Sequence, residues 1–268
     1  MEQKTLLQTV MENAIFVAEF IGIVAALVVL AYCMEKIAKK KSGSKERILS
    51  TRKIAVIGMF SAIAAVLMVL EFPLPFAPSF YGMDFSELPA LIGTFAFGPV
   101  AGVLIEFCKI VLKILFKPTS TAFVGELANF AVGCSFLLPA SCVYLFHKTK
   151  KSALIGSIAG TLCMTVFGTA FNAVYLLPKF AQLFGMPMIA FNAVYLLPKF
   201  AQLFGMPLDA IIGMGTAVNP AIDSITTLVV FAVAPLNLLK GGLVSVITML
   251  IYKKISPIIK EGTKKQGR

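Results

Sequence analysis

The chain has 268 residues, 58% of them hydrophobic and only 14% charged, with a mean hydropathy of +0.89 and a net charge of +11. A soluble domain is roughly 45–50% apolar and about 25% charged, so this composition excludes an ordinary soluble fold and places the chain in a bilayer. The charge does not point to nucleic acid, because eight cations lie between Lys36 and Lys53, three are Lys148, Lys150 and Lys151, and six follow Tyr252; short basic segments beside apolar runs are the mark of cytoplasmic loops.

The first apolar run, Ala14 to Met34, has 21 residues, about 31 Å of helix at 1.5 Å per residue. It reads as a crossing and not as a signal peptide, whose apolar region is shorter and follows a positive segment. Ile54 to Leu70 returns outward and ends in EFPLPFAPSFYGMDFSE, where three prolines and a glycine predict an ordered, non-helical outer loop. Leu88 to Phe97 is a short helix broken by Gly98-Pro99, and Val100 to Phe116 is the next. After the outer turn KPTSTAFVG, Gly125 to Phe146 runs inward to His147 and its flanking lysines. Ala153 to about Leu177 goes outward again. A last helix from about Ala221 to Tyr252 comes back in, with a kink expected at Pro235. The sum is seven crossings, one of them short, with the N-terminus outside and the C-terminus in the cytoplasm.

One segment occurs twice. AFNAVYLLPKFAQLFGMP spans residues 170–187 and again 190–207, identical at all 18 positions. Repeat architectures drift in sequence and need three or more units, so two identical copies fit a recent tandem duplication, an engineered one or an assembly error, and not a repeat fold. A further crossing would force the basic C-terminal tail outside. A 20-residue insertion within one helix would turn its downstream face by roughly 200°. The expectation is an enlarged outer loop: the first copy completes the preceding helix, and the second lies against the outer surface.

The five cysteines, Cys33, Cys108, Cys134, Cys142 and Cys163, lie inside apolar runs without CxxC spacing and read as small buried hydrophobes, neither disulfides nor metal ligands. No nucleophile–base pair, HExxH or phosphate-cradling glycine loop is present, so no enzyme, no metal and no cofactor are expected. Polar residues at membrane depth are the functional candidates. Glu106, Lys109 and Lys113 share one helix face, and read most simply as an internal ion pair plus a lysine reaching the interface. Asn129 fits pocket lining and helix–helix hydrogen bonding equally. Asn219 and Asp223 flank Pro220, where Asp223 suits the first turn of a helix. Asn237 and Lys240 share a face just beyond Pro235, and an amide beside an ammonium suits a planar ligand with alternating carbonyls and N–H groups; the alternative there is a capped kink. Phe72, Phe76, Phe80, Tyr81 and Phe85 form either an interfacial belt or a lid over a flat ligand. Gly58/Ala62 and Ser61/Ala65 have small-xxx-small spacing, which lets another helix approach.

The segments MDFSELPALIGTFAFGPVAGVLIEFCK, GELANFAVG, FNAVYLLPKF and VAPLNLLKG resemble the substrate-binding S component of energy-coupling factor (ECF) vitamin transporters, specifically the riboflavin-binding type, from about Arg52 to Ile258. The resemblance implies an all-α, polytopic membrane protein with a six-helix S-component core, to which residues 1–35 add one N-terminal transmembrane helix. Residues 36–53 are then a basic linker, 54–258 the substrate-binding domain with its enlarged loop 188–207, and 259–268 a basic tail. It further implies riboflavin held at the outer end under the loop Phe72 to Glu87, with ligand contacts from Asn172, Asn237 and Lys240; Asn129 and, from the loop, Tyr81, Asp84 and Phe85 are further candidate ligand contacts. The duplicate offers Asn192 as an alternative to Asn172, which is favoured because it continues the helix beginning at Ala153. Gly58, Ser61, Ala62 and Ala65 become the docking face for a transmembrane coupling subunit, joined by two cytoplasmic ATPases in a prokaryotic cell membrane. The rival readings are an S component for another vitamin or precursor, a solitary ion-coupled carrier, and a sensor or assembly protein.

Overall fold

The computed structural model describes residues 11, 14–43, 47–73, 82–117, 123–171, 216, 220–222 and 225–264. Among these there are seven helices: α1 Ala14–Ser42, α2 Thr51–Val69, α3 Glu87–Phe97, α4 Pro99–Phe116, α5 Val124–Phe146, α6 Lys150–Phe171 and α7 Ile225–Lys264. Five carry spans long and apolar enough to cross a membrane: Ala14–Ser42, Thr51–Val69, Gly125–Phe146, Lys150–Phe171 and Ala234–Ile251. The described residues are nearly all helical, and the chain is a polytopic membrane protein. The 18 residues of α4 include Glu106, Lys109 and Lys113, whose charges are answered by other helices.

The helix ends follow local chemistry. Ser50 caps α2 in an extended conformation, its hydroxyl accepting the Lys53 N–H at 3.4 Å, which satisfies one of the orphan donors of a first turn. Helix α1 continues past the expected Met34 to Ser42; its last turn carries Lys39, Lys40 and Lys41, cations favoured where helix carbonyls are left unpaired. Gly98 alone separates α3 from α4, at φ 100°, a conformation that side-chain-bearing residues resist. Pro99 follows at the first position of α4, where a missing N–H costs nothing. The α7 helix runs through Pro235 without interruption.

The loop after α2 closes on itself. Its ends pair as two short antiparallel strands, β1 Phe72–Pro73 and β2 Gly82–Met83, with Phe72 opposite Met83. The non-helical loop was legible in its prolines, but this ladder was not. Its tip, with Phe76, Phe80 and Tyr81, lies outside the described residues, as do Asn172, Asn192, Asn219, Asp223 and the whole stretch of duplicated sequence beyond Phe171.

Helix α3 is central: it touches α2, α4, α5 and α7, and Glu87, Pro89, Ala90, Leu91, Gly93, Thr94 and Phe95 are all buried. With 11 residues it is about 16 Å long, half the roughly 30 Å hydrocarbon thickness. The chain therefore drops to Gly98 at one end of the bundle, near Lys53 and Glu35, and α4 climbs back. Close backbone approach locks α5 to α6. A Cβ on Gly156 or Gly160 would run into the carbonyl oxygens of Ala140 and Phe136, so glycine lets these helices touch, as membrane interfaces require.

Helix α1 packs on α4 and α5, where Phe16, Phe20 and Ala31 join Val100, Val103, Phe130 and Leu127 in one apolar cluster. Glu35, 2% exposed, fixes its basic end: its carboxylate pairs with Lys39 at 3.0 Å and Lys53 at 3.8 Å and lies against Gly98 at the start of α4, where the helix dipole favours an anion.

The cysteines depart from the sequence reading. All five are free, but only Cys134 is buried; Cys33, Cys142 and Cys163 are exposed on spanning helices and Cys108 is half-buried. An apolar run in a membrane has a lipid-facing side, so lying within it does not imply burial in protein.

Candidate functional site

The candidate site is built where the loop before α3 meets α7. Asp84 makes an Asx turn, its Oδ1 accepting the Ser86 N–H at 2.8 Å, and this short-range bond starts the central helix. The other oxygen, Oδ2, accepts from Lys240 Nζ at 2.9 Å. Lys240 also lies 3.3 Å from Glu87 Oε1, and that same oxygen accepts from Lys109 Nζ at 2.9 Å. Lys109 donates to the Ser86 hydroxyl at 3.0 Å and pairs with Glu106 Oε2 at 2.7 Å. Five ionisable side chains from the loop, α3, α4 and α7 thus form one connected network, each less than a tenth exposed.

Burial alone would raise the Asp84 carboxyl, but the Lys240 and Lys109 ammoniums outweigh it and hold it below its ordinary value of 3.8. Asp84 therefore stays ionised, and its bond to Lys240 is charge-assisted on both sides. Glu87 opens the first turn of α3, where the exposed N–H groups of the helix stabilise a negative charge.

Asn237 is buried one turn before Lys240, and a Cβ on Gly168 of α6 would stand 2.6 Å from its Nδ2. Glycine at 168 is thus what gives the amide room between α6 and α7. Phe85 packs on the main core beside Phe60 and Leu88, with its ring 6.0 Å from that of Phe72. Asn129 on α5 is half-buried, and its Oδ1 is buried without a hydrogen-bond partner among the described residues. Of the expected ligand contacts, then, Asp84 and Lys240 come together, with the buried Asn237 one turn before Lys240 on α7 and Phe85 one residue from Asp84. Tyr81, Asn172 and the alternative Asn192 lie outside the described residues.

Other expectations are revised. Lys113 does not reach the interface alone but pairs with Glu126 of α5 at 2.8 Å, because the α4 face it shares with Lys109 packs against α5. The four small residues of α2 divide by direction. Gly58 has nothing within 4 Å of a Cβ position and Ala62 is exposed, whereas Ser61 and Ala65 are each 1% exposed and face the chain's own core. The Ser61 hydroxyl is occupied by the Ile57 carbonyl at 2.7 Å. Residues three apart on a helix point about 300° round the axis, close to one face but not on it, and the core takes one pair. Glu87 was missed as part of the site; its only signal was an acid at the first turn of a short apolar helix.

Comparison with known proteins gives the family of the chain. Residues 52–252 match the family model described as "ECF transporter, substrate-specific component". The riboflavin transporter RibU of Staphylococcus aureus is 31% identical over 209 residues, 78% of this chain and 93% of that protein. The riboflavin transporter FmnP of Bacillus subtilis is 28% identical over 214 residues, 80% of this chain and 96% of its own length. A solved structure described as the S component of a bacterial ECF transporter superposes with a TM-score of 0.55 at 31% identity, covering 78% of this chain and 98% of that one. Helix α1 precedes the matched region. From residue 52 to residue 252 this chain belongs to the substrate-specific components of ECF transporters.

Proposed function

We propose that this chain is the riboflavin-capture subunit of an ECF importer. The observation that carries the reading is the meeting of Asp84 and Lys240, a loop carboxylate and an ammonium from a distant helix, with the buried Asn237 amide one turn before Lys240 on that helix. Riboflavin is a neutral, flat tricycle with an imide edge and a polyol tail. An amide matches the imide edge, while an ion pair offers both an acceptor and donors to hydroxyls. Ligand sites of this kind are mostly apolar with few fixed polar groups, and Phe85 with the neighbouring core supplies the apolar wall. The two riboflavin transporters at 31% and 28% identity support the choice of ligand. Asn172, next in sequence after the end of α6, is the proposed second amide, with Asn192 its alternative; Asn129, whose Oδ1 has no partner among the described residues, and Tyr81 complete the set.

Transport then requires energy from partners. The exposed face of α2, with Gly58, Ala62, Met59, Ile63 and Val66, is the proposed docking surface for a transmembrane coupling subunit, which works with two cytoplasmic ATPases. The basic end of the bundle faces the cytoplasm in this reading, so the N-terminus lies outside and the site opens outward. A solitary ion-coupled carrier is disfavoured because Glu106 and Lys109, the charged pair it would need as a relay, are both 0% exposed and bound to each other. Vesicle uptake separates the two. Riboflavin uptake that requires the coupling subunit and ATP supports the proposal; uptake by this chain alone on an ion gradient overturns it, and stronger competition by thiamine, biotin or folate than by riboflavin would reassign the ligand.

A further inference from the structure

Among the described residues the buried network contains three carboxyl groups, Asp84, Glu87 and Glu106, and two ammonium groups, Lys109 and Lys240. Fully ionised it would keep one uncompensated negative charge where the side chains are almost wholly out of water. An uncompensated buried charge is strongly unfavourable, and two close carboxylates relieve such a charge by holding one proton between them.

The geometry says where that proton belongs. Glu87 Oε1 accepts from Lys109 and forms an ion pair with Lys240 at 3.3 Å, but Glu87 Oε2 and both oxygens of Glu106 have no hydrogen-bond donor among the described residues. Glu106 Oε2 touches the Lys109 ammonium as an ion pair without lying along its hydrogen-bonding direction. The two free carboxyl oxygens face the same point. A Cβ on Gly133 of α5 would meet Glu106 Oε2 and would lie 3.2 Å from Glu87 Oε2, so glycine leaves room for the two acids to approach. The ionisable groups around the pair are Lys109 on the helix of Glu106, Asp84 and Lys240 beyond Glu87, and the buried Cys134 thiol on α5.

We propose that Glu87 and Glu106 share one proton at neutral pH, with Glu106 as a positioning residue for the candidate site. With the proton on Glu106 and donated to Glu87 Oε2, the network is neutral: two carboxylates face two ammoniums. Glu87 Oε1 stays charged, accepting from Lys109 and attracting Lys240, and this holds the Lys240 ammonium beside Asp84. The inference does not depend on which ligand is transported.

The test is the infrared spectrum of the intact protein in lipid at neutral pH, where a neutral carboxyl group absorbs at higher frequency than a carboxylate. The wild type shows a neutral-carboxyl band, and Glu87→Gln and Glu106→Gln each abolish it, since removing either acid leaves the remaining charges balanced without a proton. A folded wild type without such a band overturns the proposal, as does a band that survives both substitutions. The wild-type spectrum decides the first point even if a substituted protein fails to fold.

Discussion

Lys240 and Asp84 are 156 positions apart in sequence, yet the Lys240 ammonium donates to Asp84 Oδ2 at 2.9 Å inside the bundle. This bond ties the last helix to the loop that starts the central one. Any ligand entering between them must compete with the pair or use it. Lys240→Ala strands the Asp84 carboxylate, and removing one partner of a buried pair costs about 3–5 kcal/mol. The expected result is a lower thermal stability and at least about a tenfold loss of riboflavin affinity, about 1.4 kcal/mol. Adding Asp84→Asn to Lys240→Ala recovers part of the stability, and a double-mutant cycle measures the coupling. Purely additive effects would show that the two groups do not act as a pair.

The acid limb of stability follows from the same bond. Asp84 is held below its ordinary value of 3.8 in the folded protein, so its contribution is present at higher pH and is lost as the pH falls through the lowered folded value. The stability difference between wild type and Asp84→Asn is therefore constant from neutral pH down to about pH 5 and shrinks only below 3.8. A difference that already falls between pH 7 and about pH 5 would contradict the pairing.

Two glycines separate a site effect from a surface one. A Cβ on Gly168 meets Asn237 Nδ2 at 2.6 Å, whereas at Gly58 it meets nothing. Gly168→Ala pushes the amide and lowers riboflavin affinity, with overpacking costing about 1–3 kcal/mol. Gly58→Ala leaves binding by the isolated chain unchanged and weakens uptake that depends on the coupling subunit. Ligand titration and vesicle uptake on both variants check the pair; equal affinities would remove Asn237 from the site.

Helix α1 carries none of the candidate site residues. Its apolar contact with α4 and α5 can be replaced by lipid, which is as apolar as the side chains it covers. A chain lacking residues 1–42 is expected to keep riboflavin affinity within about threefold, read by the same titration. Loss of binding would make α1 part of the machinery of the site.

Much of this fold was legible because long apolar runs in a bilayer have few alternatives to helix. Gly98-Pro99 marked the α3–α4 break, and the spacing of Glu106 and Lys109 marked their contact. Spacing could not reveal that Lys109 is shared with Glu87 or that Lys240 reaches Asp84, since those partners come from other elements and depend on how helices pack. Lys113 and Glu126 failed for the same reason: a lone cation near a helix end looks solvent-bound until its neighbour is placed. Ser61 and Ala65 passed for an external face because small residues serve both internal and external helix contacts.

The most direct test of the central claim is a titration of purified protein into riboflavin, followed by flavin fluorescence. The chain has no tryptophan, so the ligand reports its own environment. Quenching is expected to saturate near one riboflavin per chain, with a weaker response from Lys240→Ala. Absence of quenching by the intact chain, and equally by a variant lacking residues 188–207, would contradict it.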